Sequence, residues 1–181
     1  MPKHILFALT AATLLSSSAL AQDAPIETSL EFGGTYTDSV TVNDDGASLT
    51  LDDVKTVDFG ISAERELMRR DNLTLSGAIS GQARFGDGNS PQLNGLTQTG
   101  STDFRRLGAY ADIIARMEGQ DESDWTPFLS AGVGVAHDRI TLDDQVFEEF
   151  SPRGRVQAGL EKKINDKATF GIGVGQTFKL D

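Results

Sequence analysis

The side chains of this 181-residue chain that can do chemistry are carboxylates, guanidiniums and very few others. His137 stands beside Asp138, and a histidine next to a carboxylate is the beginning of an acid–base or nucleophile-activating pair. No serine motif accompanies it, and cysteine is absent. No catalytic residue is therefore assigned and an enzyme is not expected. Acidic pairs form a second group: Asp44-Asp45, Asp52-Asp53, Asp143-Asp144 and Glu148-Glu149. Clustered carboxylates can hold calcium, or bridge to lipopolysaccharide through divalent ions. None has the spacing of a calcium loop, so they are read as solvated surface, with no metal and no cofactor.

The third group is the most informative. Asp58, Glu64, Arg84, Arg106, Asp112, Arg116, Arg155 and Glu161, with Glu66 and Lys163, recur on the polar side of stretches whose other side is apolar. Charges of both signs on one face can pair. A soluble barrel packed with apolar groups has no inexpensive place for them, whereas a membrane barrel has a polar interior. They are read as a lumen network. In a barrel of eight strands side chains fill the interior, so an ionic core is expected in preference to a narrow pore.

Strands must position these residues. In the stretch 151–180, Gly154, Val156, Ala158 and Leu160 alternate with Arg155, Gln157, Gly159 and Glu161. Phe170, Ile172, Val174 and Phe178 likewise alternate with threonine and glycine. A period of two means strands, and Asn165-Asp166 is placed at the turn of a hairpin. The same alternation marks strands over 30–42, 56–67, 73–85, 103–117 and 125–138. In the first of them Leu30, Phe32, Tyr36, Val40 and Val42 share one face. Arg69 to Asn72 and Glu118 to Asp124 read as polar connections. The stretches 43–55, 86–102 and 139–150 read as long loops, with 48–51 able to extend the strands. Trp125, Tyr36 and Tyr110 are candidates for an aromatic belt.

Residues 1–21 read as a secretory signal peptide: Lys3, an apolar run from Ile5 to Leu15, and Ala19-Leu20-Ala21 as a cleavage site. That leaves one domain, 22–181. The net charge of −11 argues against nucleic acid as a partner, and the lack of cysteine removes disulfides and thiol chemistry.

Two stretches carry a family likeness. Pro127-Phe128-Leu129-Ser130-Ala131-Gly132-Val133-Gly134-Val135-Ala136 is similar to the glycine-rich strand of small outer-membrane β-barrels, of the OmpA-like and opacity-protein kind. Ala158-Gly159-Leu160-Glu161-Lys162-Lys163-Ile164-Asn165-Asp166-Lys167 resembles the strand and periplasmic turn of that family. The resemblance implies an all-β, antiparallel up-and-down β-barrel of about eight strands, placed in the outer membrane after loss of the signal peptide. It implies a monomer among outer-membrane lipid and lipopolysaccharide, with a structural or surface-interaction role. Two departures stand out. Seven strands are counted where the family has an even number, so a merged strand is expected between Val40 and Leu67. The chain also ends in Lys179-Leu180-Asp181 and not in an aromatic residue. The alternative reading is a soluble periplasmic β-barrel with its apolar face inward around an apolar ligand.

Overall fold

A computed structural model describes residues 10–17, 26–117, 125–165 and 168–180, the first of these as backbone alone. Among them there is no helix. The strands are β1 (Thr10–Ser17), β2 (Ile26–Asp44), β3 (Ala47–Arg70), β4 (Leu73–Leu93), the short β5 (Leu96–Thr97), β6 (Thr102–Met117), β7 (Thr126–Leu142), β8 (Gln145–Asn165) and β9 (Ala168–Lys179). They form one sheet in which every pair is antiparallel. β5 only folds back on the end of β4. The other eight make the up-and-down barrel expected from the alternation.

The eighth strand is not hidden between Val40 and Leu67, since β2 and β3 divide that stretch with nothing merged. It is β1. Residues 15–17 pair with 28–30 of β2, and residues 10–15 pair with 168–173 of β9. These residues lie in the stretch read as a signal peptide. β2 and β9 are both antiparallel to β1 and so run the same way. An antiparallel sheet therefore needs one strand of opposite direction between them.

The expected long loops are replaced by strands. β2 passes into β3 through Asp45 (φ 45°) and Gly46 (φ 82°), a two-residue turn with both centres in the left-handed region. Such a turn matches the twist of its strands. Asn94 (φ 52°) and Gly95 (φ 80°) do the same between β4 and β5. Asp143 (φ 50°) opens the β7–β8 turn and Asp71 (φ 52°) the β3–β4 turn. Asp and Asn tolerate this region better than other side chains, so acidic tracts that read as irregular chain are tight hairpins at the tips of overhanging strands. Asn165 pairs with Ala168, and the expected turn residue Asp166 lies outside the described residues, as does the 118–124 connection.

One face assignment changes within a strand. Leu30, Phe32 and Tyr36 are exposed, but Val40 and Val42 are buried. The opposing strand carries Asp53 at φ 50°, with register shifts between β3 and β4 around Asp52; β4 carries Ser90 at φ 47°. Across Asp53 the inward positions of β3 pass from Asp58 and Val54 to Leu51 and Leu49; β2 keeps a single register with β3, and its inward face changes at the same level.

The barrel therefore has two regions with opposite polarity, and β7 crosses both without changing parity. Low on β7, Leu129 and Val133 are outward and more than half exposed, while Ser130 is buried inside. High on the same strand Ile140 and Leu142 are buried inside, and Arg139 is outward. Around the barrel Leu30, Ile61, Ile79, Leu107 and Ile172 extend the low apolar exterior. Val42, Leu49, Leu51, Val54, Phe104 and Phe147 join Ile140 and Leu142 in one apolar cluster high inside. Burying each such side chain contributes about 1.5–3 kcal/mol, enough to order an overhang that stands clear of the rest.

Candidate functional site: the charged lumen

Below the apolar cluster the inward side chains are charged, and all eight residues assigned to a lumen network point there as partners of one another or of a neighbour. Low in the barrel, Arg116 of β6 donates from Nε to Glu161 of β8 at 2.8 Å and pairs through both terminal nitrogens with Glu64 of β3. β3 and β8 are four places apart in the barrel order, so this one guanidinium ties opposite walls. At mid-height Arg155 of β8 forks onto Asp112 of β6, donates to Ser80 of β4 at 2.8 Å, and lies over the Tyr110 ring at 4.2 Å. Bidentate pairs of this kind are the strong and geometrically specific ones.

The upper layer is set by register. Asp58, Arg84, Arg106, Asp138 and Glu149 face one another in a row across β3, β4, β6, β7 and β8. Arg106 forks onto Asp138 at 2.5 and 2.9 Å, and Arg153 of β8 reaches the same carboxylate at 2.5 Å. Arg84 approaches Asp58 only to 3.5 Å, while Asp58 accepts from the Thr35 and Thr56 hydroxyls. Higher still, Lys179 donates to Glu149 at 2.6 Å.

The glycine-rich stretch on β7 has a physical reason here. A Cβ on Gly134 would fall 2.6 Å from Cδ1 of Tyr110, and one on Gly132 would collide with the Asp112 carboxylate. These glycines let the inward side chains of β6 fold over β7. Comparison with protein-family models, curated proteins and solved structures gives no match. The reading therefore rests on the geometry of this chain.

Asp138, Arg153 and Tyr110 belong to the site, although the sequence did not place them in it. Asp138 draws notice in the sequence as the neighbour of His137, yet neighbours on a strand face opposite ways. His137 is outward with Nε2 3.8 Å from Glu148, and Asp138 is fully buried inside. The catalytic pair does not form. Continuing the alternation of β7 past Gly134, and that of β8 back from Arg155, would have found both Asp138 and Arg153. Two charges drop out of the polar face: Glu66 is exposed and pairs with Arg69 at 2.8 Å, and Lys163 is exposed.

The acidic pairs serve the hairpins. Asp44 accepts from the Glu148 amide at 3.0 Å, Asp143 from the Ser101 amide at 3.1 Å, and Glu149 from the Asn43 amide at 2.9 Å. Among the described residues no group of three potential metal ligands comes together. Of the candidate belt aromatics, Trp125 is outward against Phe170 at 6.0 Å and Tyr36 is outward on Asp53, whereas Tyr110 is buried in the lumen.

A cavity of about 420 Å³ lies within the barrel, lined by residues of both signs including Glu31, Arg84, Arg106, Asp112 and Arg153.

Proposed function

We propose that this chain is a small outer-membrane β-barrel protein, non-catalytic, with a structural or surface-interaction role. The observation that carries this is the exchange of polarity along β7. One exterior is apolar low on the barrel and charged high on it, while the interior changes in the opposite sense. Water outside both regions would leave Ile79 at 71% and Val133 at 60% exposure with nothing to cover them. Patches of that extent mark a surface that meets something apolar. Lipid around the low region and water around the overhang satisfies both halves. A soluble barrel holding an apolar ligand needs the apolar face inward along its whole length, and the charged layers occupy that place.

In this reading the overhang points away from the cell, the partners are outer-membrane lipid and lipopolysaccharide around a monomer, and residues 10–17 stay with the barrel as the strand between β2 and β9. The expected result is recovery with the outer membrane and different gel mobility before and after boiling, because folded membrane barrels resist detergent. Recovery in the soluble periplasmic fraction contradicts the reading.

A further inference from the structure

We propose that the upper half of the lumen cavity is a binding site for a small oxyanion of the carboxylate or phosphate class, held by Arg84 and Arg153. Three guanidiniums meet at this level, on Arg84, Arg106 and Arg153, with Asp58 and Asp138 against them, while Glu149 in the same row is taken by Lys179 at 2.6 Å. Asp138 is shared by two of them. Asp58 takes hydrogen bonds from two threonines and gives Arg84 no better than a 3.5 Å approach. Arg84 and Arg106 are also direct cross-strand neighbours, a like-charge placement that is unfavourable without a compensating anion.

The hydrogen-bonding shows the same deficit. Among the described residues Nε of Arg84 makes no hydrogen bond, its nearest carboxylate oxygen being that of Asp58 at 3.5 Å, and Nε of Arg153 has no hydrogen-bond acceptor; their side chains are 11% and 7% exposed. Buried arginine donors are ordinarily satisfied, and each exception calls for an explanation. Both side chains line the cavity, as does Arg106. The other carboxylates on the cavity wall are engaged lower down, Asp112 with Arg155 and Glu64 and Glu161 with Arg116. Glu31 also lines the cavity, and Ser29 and Ser62 bond each other beside it at 2.5 Å. The cavity is thus positive above and negative below, and an oxyanion belongs at its upper end. Planar guanidiniums suit both carboxylate and phosphate.

This inference concerns the interior and stands whether lipid or water surrounds the barrel. Its test uses the full chain, refolded in detergent micelles with sodium phosphate, sodium acetate or sodium chloride at matched ionic strength and pH, so that the anion need not enter a folded barrel. An anion that binds only the folded state raises the melting temperature by mass action. The expected shift over chloride is about 3 °C or more for at least one oxyanion, and which of them acts identifies the ligand chemistry. Arg84→Gln and Arg153→Gln should each abolish that shift; the second variant serves if the first does not fold. Equal melting temperatures in all three salts overturn the proposal, as does an oxyanion shift that survives in either variant.

Discussion

Asp138→Asn is expected to destabilise the folded barrel by about 3–5 kcal/mol, the usual scale for removing one member of a buried ionic cluster. Among the described residues Asp138 is the only carboxylate that Arg106 and Arg153 hydrogen-bond, and it is itself fully buried. Asparagine keeps the shape and one acceptor but loses the charge, leaving two guanidiniums uncompensated in a confined interior. Asp103→Asn provides the control. That carboxylate pairs with Arg105 at 2.8 Å, but both side chains are about half exposed, and surface pairs contribute only about 0–1 kcal/mol. Urea unfolding of both variants, followed by tryptophan emission, measures the difference. A loss at Asp138 no larger than that at Asp103 would mean that the lumen layers do not hold the barrel together.

The second large effect separates the two solvents. Val133→Arg places a guanidinium on the low exterior, among Ile79, Ala111 and Gly154 in neighbouring strands. Against hydrocarbon near the bilayer midplane this costs about 2–4 kcal/mol. Val146→Arg makes the same change on the overhang, where Val146 is 42% exposed. There the expected change lies within about 0.5 kcal/mol, as for ordinary surface positions in water. Two harmless arginines would place water around both regions. Inward substitutions are less discriminating: a Cβ at Gly173 would already stand 2.9 Å from the Ala158 carbonyl oxygen, so even Gly173→Ser must move backbone.

Period-two alternation made the strands and the inward charges legible before any coordinates. Asp58, Arg84, Arg106 and Asp112 each follow from their place opposite an apolar neighbour. Three features were hidden. The overhangs were missed because Asp45, Asn94 and Asp143 in left-handed turns have the composition of a loop while forming two-residue hairpins. Val40 and Val42 face inward although their parity matches that of the outward Leu30, Phe32 and Tyr36, and the alternation of β2 carries no mark of that change. The eighth strand was missed because residues 10–17 read as the apolar core of an export signal, and an apolar run of that length is equally compatible with a strand. Within the site, pairing across β3, β6 and β8 depends on barrel closure, which a linear pattern does not contain; Arg116 bridging Glu64 and Glu161 is the clearest instance.

The proposed placement puts lipid over the low exterior and water over the overhang. Trp125 is the sole tryptophan, so Trp125→Phe gives a silent background in which a single new tryptophan reports its own surroundings. Val133→Trp and Val146→Trp are each refolded into vesicles whose lipids carry bromine midway along the acyl chains, and into matched vesicles without bromine. Strong bromine quenching at position 133 with none at position 146 is the expected result. Equal emission from position 133 in both kinds of vesicle would contradict the membrane reading.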